Sequence, residues 1–414
     1  IALSGLNAAS TDLEVTGNNI ANAATSGFKE SRAEFADLYA SSLQDAGSNA
    51  VGQGVRVSRV AQQFSQGSID FTSNNLDLAI SGEGFFVLEG TDGSLQYTRA
   101  GAFNVDREGN VVNHANDRLQ VYGSATGVGG TTTFNTGVLE DLQLPTTASS
   151  PSPSTLVSAV LNLDSSGLVP TDAFDPANAA SYNASTSTTV YDSLGNAHAS
   201  TMYFRKVGPN NWQQYQYIDG TEVPPNGQPA GTPFTLDFDA TGSLASVNGA
   251  AGTSALADPY DPGNGASPIS LTLEFVGSTQ YASAFAVNNL SQDGFTSGRL
   301  SGVDIDPEGV VFARYTNGQS SALGKVALAK FNNQQGLKQE GDTNWSESFS
   351  SGAAQLGEAG TSSFGQIQSG ALEASNVDIS AQLVNLIIAQ RNFQANAEVI
   401  STADSVTQTI INIR

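Results

Sequence analysis

His114 and His198 are the chain's two histidines, and a general base is the usual starting point for catalysis. A Ser–His–acid relay needs a positioned serine and a buried orienting carboxylate. No Gly-x-Ser-x-Gly elbow supplies the serine, so both histidines read as ordinary turn or surface residues. Asp304-x-Asp306-x-Glu308 and Asp258-x-x-Asp261-x-x-Asn264 have oxygen-ligand character. A calcium loop requires alternating side-chain oxygens and a distant bidentate Glu, and neither segment completes that set. Asp, Pro and Gly build turns for backbone reasons alone. Gly52-x-Gly54 and Gly82-x-Gly84 lack the third glycine and following helix of a phosphate loop. With no cysteine, disulfides, thiolate nucleophiles and cysteine–zinc sites are excluded. No catalytic residue, metal ligand or cofactor is assigned, and the chain is read as a non-enzyme. Paired carboxylates suited to glycoside hydrolysis are not legible from sequence. A secreted carbohydrate binder or hydrolase with helical ends therefore stands as a rival reading.

Composition narrows the partners. The net charge of -23 repels nucleic acid and anionic membrane. Charged residues make up only 13% of the chain, so the surface must be largely Ser, Thr, Asn, Gln and Gly. No cleavable signal pattern is present, and the longest apolar run near the end, Leu386 to Ala389 with Val384 just before it, is too short to span a bilayer.

The elements able to position anything are two helices at opposite ends. Leu6, Leu13 and Ile20 recur every seven residues, with Leu3 and Ala24 on the flanking row. Ile379, Leu386, Phe393 and Ile400 repeat likewise, with Leu383 and Ala397 between them. A seven-residue apolar repeat makes a narrow seam satisfied by another helix. The first helix should run to about Ala24, closed by a left-handed Gly27. The helical pattern is already running at Ile1, so residues are expected before it. The last helix should start from a Ser375 or Asn376 cap and continue to Arg414. Packed only on each other, such helices bury little area, so they are expected to fray in a monomer and order in an assembly.

The fold predicted is multi-domain α+β, with the two terminal helices forming a coiled-coil-like domain around nested all-β domains. Residues 1–30 and 371–414 form the helical domain. Residues 31–70 and 351–370 read as extended linkers, although Phe28, Phe35, Leu38 and Tyr39 could form a helical turn or two. Residues 71–142 and 285–350 share a strand-and-turn grammar and make one discontinuous β-domain. Residues 143–284, rich in turns and aromatics such as Tyr203, Trp212 and Tyr217, make an outer β-domain.

Asn18-Asn19-Ile20-Ala21-Asn22, then Thr25-x-Gly27-Phe28-Lys29 and Arg32, resembles the signature of the bacterial flagellar rod and hook family. Leu76 to Leu88, Tyr97-Thr98-Arg99-x-Gly101-x-Phe103 and Gly302 to Gly318 resemble that family's inner β-domain. Gly370-Ala371-Leu372-Glu373-x-Ser375-Asn376-Val377-Asp378 and Gln390-Arg391-x-Phe393-x-Ala395-Asn396 resemble its C-terminal signature. The signature residues singled out are Asn18, Asn19, Asn22, Thr25, Gly27, Phe28, Lys29, Arg391 and Asn396. Within the family, the 143–284 insert points to the hook branch, with the distal rod as the alternative.

The resemblance implies a homopolymer: a flexible hollow tube acting as a universal joint between rod and filament. It implies export by the flagellar type III apparatus to an extracellular position, and as partners the distal rod, the hook cap and the hook–filament junction protein. The assembly seam is placed on Leu3, Leu6, Leu13, Ile20, Ile379, Leu383, Leu386, Phe393, Ala397 and Ile400.

Overall fold

The computed structural model describes residues 1–38, 52–126, 132–361 and 363–412. The first helix, α1, spans Ala2–Ala21. It ends three residues before the expected Ala24, because Asn22 donates its side-chain amide back to the Asn18 carbonyl at 2.9 Å. An Asn that bonds the backbone in this way competes with helix propagation. The last helix, α2, spans Ile379–Asn412. Its cap is Asp378 rather than Ser375 or Asn376: Asp378 Oδ1 accepts from the Ser380 amide at 2.8 Å and the Ala381 amide at 3.2 Å, satisfying donors the helix itself cannot.

The helices run antiparallel, since Gly5 faces Asn396 while Asn19 meets Gln382. The pairs that meet, Gly5 with Asn396 and Asn19 with Gln382, lie outside the predicted seam positions. Buried positions on α1 are Ala8, Ala9, Thr16 and Asn19, and on α2 Gln382 and Ala389. Close approach is evident at Gly5, where an added Cβ would collide with the Asn396 side chain. Leu6, Leu13, Ile20, Leu386, Phe393 and Ala397 are half-buried. Leu3, Ile379, Leu383 and Ile400 are exposed.

The first predicted linker is a hairpin. Strand β1 (Ser31–Asp37) pairs antiparallel with β2 (Val55–Gln62), with a bulge between Glu34 and Phe35. Alternation along Ser31-Arg32-Ala33-Glu34-Phe35 and Val57-Ser58-Arg59-Val60-Ala61 explains the strands, and Ala33 and Ala61 are the buried positions. Phe35 lies in β1, not in a helical turn, while Tyr39 and the predicted linker positions 47–51 fall outside the described residues. The second linker is also partly sheet: Gln355–Glu358 pairs with the strand Ser320–Lys330, and Gln366–Ser369 with Leu78–Ser81.

The chain divides into two compact units, the first comprising 1–146, 302–314 and 320–414. Its sheet draws on both halves of the sequence. Phe85–Glu89 pairs with Leu95–Thr98, Arg118–Thr126 and Ser320–Lys330, and Asn344–Ser346 pairs with Leu95–Thr98. Trp345 anchors the core, its ring 5.7 Å from both Phe64 and Phe85. Asp306 Oδ1 accepts from the Val310 amide at 2.7 Å, so this acidic turn uses its carboxylate on its own backbone.

The second unit comprises 147–301 and 315–319. It extends past the predicted limit of 284 because Ala286–Gln292 pairs antiparallel with Leu156–Asn162. A seven-stranded sheet and a four-stranded sheet enclose Met202, Phe204, Trp212, Phe234, Leu271 and Phe275. Residues in the strands Ala197–Gly208 and Asn211–Ile218 alternate inward and outward, as the pleat requires.

Candidate assembly surface

The exposed face of α2 carries a run of large apolar side chains. Leu383 and Ile387 lie one helical turn apart, as do Val384 and Ile388, and all four are roughly half exposed. Residues four apart share a helix face. With Val399, three turns further along and also exposed, they form an apolar stripe turned away from α1, whereas Ile379 and Ile400 lie on the Leu386–Phe393 row. Scattered apolar residues on a surface are ordinary, but a contiguous stripe marks an interaction site.

Where α1 ends and α2 begins, a buried polar cluster ties the chain ends to the sheet. Glu373 closes the short strand Ala371–Glu373, which pairs with Ile69–Phe71, and its side chain is fully buried. Its Oε1 accepts from Lys29 Nζ at 2.6 Å and from the Gly67 amide at 3.0 Å. Its Oε2 accepts from Arg99 at 3.0 Å. Two buried cations thus share one carboxylate. The remaining positive charge meets backbone carbonyls: Lys29 donates to Ser65 at 2.8 Å and Arg99 to Gly82 at 2.7 Å. Arg99 also lies over the Phe85 ring, 5.5 Å from its centroid, a favourable placement for a guanidinium. Burial pushes the Lys29 and Arg99 pKa values down, and the Glu373 charge opposes it.

Around this cluster Asn376 accepts from the Glu30 amide at 2.7 Å and donates to the Gln63 carbonyl at 2.7 Å. Asn19 accepts from the Ser31 amide at 2.9 Å and donates to the Ser31 carbonyl at 2.7 Å. Gln382 donates to Glu30 Oε1 at 2.8 Å. Gly27 turns with φ +71°, and its amide donates to the Glu373 carbonyl at 2.8 Å.

The signature residues thus fall into three groups. Asn19, Gly27 and Lys29 join the buried junction. Asn18, in the last turn of α1, and Asn22, Thr25 and Phe28, in the turn that leaves it, line an open groove with Ala100 and Asp342. On α2, Arg391 is exposed and Asn396 is half-buried opposite Gly5. Sequence reading assigned no role to Glu373, Arg99 or Gln382, and took Asn376 only as a possible helix cap. A signal was available for the first two: in a chain with only 16 basic residues, a Lys, an Arg and a Glu set among small and apolar neighbours call for internal pairing.

The histidines part company. His114 is exposed. His198 is buried, against the surface reading, with Nδ1 2.6 Å from Asp219 and Nε2 3.3 Å from Asp192. Among the described residues its side chain has these two carboxylates as partners and no serine hydroxyl. The aromatics of the second unit are engaged in packing: Trp212 sits in the core, and Phe174 stacks on Tyr215 at 3.7 Å between ring centroids.

Comparison with known proteins accounts for the whole length. Residues 1–29 match the flagella basal body rod protein family, and 79–155 the flagellar hook protein FlgE/F/G D1 domain. Residues 162–295 match the flagellar basal body protein FlaE D2 domain, and 368–413 the C-terminal region of the basal body rod FlgEFG proteins. The flagellar hook protein FlgE of Escherichia coli K12 is 43% identical over 417 residues, covering 100% of this chain and 99% of that protein. The chain belongs to the flagellar hook protein family. The hook proteins of Salmonella typhimurium LT2 and Borreliella burgdorferi are 40% and 36% identical, each covering 100% of this chain and 99% and 98% of the relative. The crystal structure of Helicobacter pylori FlgE2 shares the fold, with a TM-score of 0.53 at 15% identity, covering 74% of this chain and 100% of that one. These full-length matches are to hook proteins, so the chain is a structural subunit of the bacterial flagellar hook, and the distal-rod and carbohydrate-binder readings are not favoured.

Proposed function

We propose that this hook subunit polymerises through its terminal helices into a hollow, flexible tube that carries torque from rod to filament. The observation that carries the reading is the apolar stripe Leu383, Val384, Ile387 and Ile388, which α1 leaves uncovered. Neighbouring copies stacked about a common axis would bury it, and apolar burial is worth about 25 cal/mol per Å². The second unit would supply an outer layer. With charged residues at 13% of the chain, its contacts would be mostly Ser, Thr, Asn and Gly, which exchange among near-equivalent partners more readily than apolar interlocks. Such contacts suit a joint that bends while it turns.

The partners proposed are further copies of this chain, the distal rod, the hook cap, the hook–filament junction protein and the flagellar type III export apparatus. The position proposed is outside the cell, and no role in catalysis is assigned.

Val384→Asp with Ile388→Asp tests the reading. Both side chains project away from α1, so the monomer should keep its circular dichroism and melting profile while losing tube formation. Ordinary tubes from that double variant would refute the reading.

A further inference from the structure

We propose that Glu373 is a positioning residue for assembly: it fixes the bearing of the helical hairpin on the sheet of the first unit without touching a neighbouring copy. The inference rests on the polymerisation reading above. Glu373 is completely buried, so no second subunit can reach its carboxylate. Its three partners come from three separate places. Lys29 follows the turn that leaves α1. Gly67 lies between β2 and the strand paired to Glu373's own. Arg99 follows the sheet strand Leu95–Thr98. Glu373 itself sits five residues before the Asp378 cap of α2.

One carboxylate therefore joins the exit of one helix, the start of the other and the sheet. A carboxylate held by three charge-assisted bonds tolerates little reorientation. Removing it would leave Lys29 and Arg99 buried and facing each other, and truncating one partner of a buried ion cluster is strongly disruptive. The apolar stripe on α2 would then keep its composition but lose its fixed angle to the sheet. A helical polymer multiplies any angular error along its axis.

The test uses the full chain purified as monomer, with Glu373→Gln and Arg99→Leu as separate variants. Arg99→Leu keeps the Lys29–Glu373 pair and severs the link to the sheet, together with Arg99's bond to the Gly82 carbonyl and its place over the Phe85 ring. Both are expected to fold by circular dichroism. Both should either fail to form tubes under conditions where the parent chain does, or form tubes whose twist is shifted in a helical reconstruction. Folded variants giving tubes of parental twist would overturn this inference while leaving the polymerisation reading intact. Failure of the parent chain to form any tube would overturn that reading and this inference with it. Collapse of the fold in both variants would also overturn it, because Glu373 and Arg99 would then serve stability alone.

Discussion

Asn19 and Gln382 face each other across the helical hairpin, their side chains 3.4 Å apart although 363 positions separate them in sequence. Each also reaches the chain that leaves α1: Asn19 holds both backbone groups of Ser31, and Gln382 holds the Glu30 carboxylate. Both side chains are buried. The two chain ends are thus joined by side-chain amides at a point where an apolar seam was the expectation. Amides fix register, since a slip by one residue would leave each of them unpaired.

Asn19→Ala should therefore destabilise the monomer by about 1–3 kcal/mol, the range for stranding buried polar partners. The partners left are the Ser31 amide and carbonyl and the Gln382 carbonyl oxygen. Urea unfolding of the monomer measures this. A change within experimental error would show that water replaces the amide without penalty.

Gly27→Ala should be damaging on two independent grounds. The residue sits at φ +71°, where a side chain is strained. An added Cβ would also lie 2.5 Å from the Ala100 amide nitrogen, a backbone atom that cannot swing aside. A loss of at least about 1–3 kcal/mol follows from the backbone strain alone. The melting temperature of the monomer reads it out, and an unchanged value would mean that the turn reshapes freely.

His198 gives the second unit a defined pH response. Burial disfavours its charged form, but hydrogen bonds and attraction from Asp219 and Asp192 outweigh burial and hold its pKa above 6.5. The groups facing it are those two carboxylates, the Tyr260 ring at 6.1 Å, and Asn196 and Asn264, which both donate to Asp192. Because the folded pKa is raised, the stabilisation is complete below the unfolded value of about 6.5 and is lost as pH rises through the folded one. Asp192 and Asp219 behave in the opposite sense. Burial would raise them, but hydrogen bonds hold both below the usual carboxylate value. Their contribution is present above that ordinary value and is lost as pH falls through the folded pKa. The second unit should accordingly be most stable between these limits. His198→Gln should flatten the alkaline side, as followed by Trp212 fluorescence in a Trp345→Phe background. An alkaline slope unaltered by His198→Gln would remove histidine from the account.

The helices, the split sheet and the strands of the second unit were legible because each rests on periodicity and turn chemistry local in the chain. The β1–β2 hairpin escaped because the segment joining its strands is long and rich in Gly and Ser, so no short turn announced the pairing. The buried junction escaped for a different reason. Lys29, Arg99 and Glu373 are distant in sequence, and small or apolar neighbours hint at burial without saying which charges pair. The heptad pointed to leucines, whereas the helices also meet at Gly5 against Asn396 and at Asn19 against Gln382. Periodicity finds the broad apolar face of a helix, but small residues decide how closely two backbones meet, and a hydrophobic repeat does not register them.

Gly17 is the opposite case to Gly27. It lies inside α1, and a Cβ added there would meet nothing within 4 Å. Glycine in a helix interior is less favourable than alanine by about 0.5–1 kcal/mol. Gly17→Ala should therefore stabilise the isolated subunit by that amount, in contrast with Gly27→Ala. Thermal unfolding of the monomer reads the stability, and a pelleting assay reads polymer yield. A more stable monomer that polymerises normally would show that nothing in the tube approaches Gly17. A more stable monomer with reduced polymer yield would place a neighbouring copy against this face of α1, where only a glycine fits. A destabilised monomer would contradict the open surroundings on which the prediction is built.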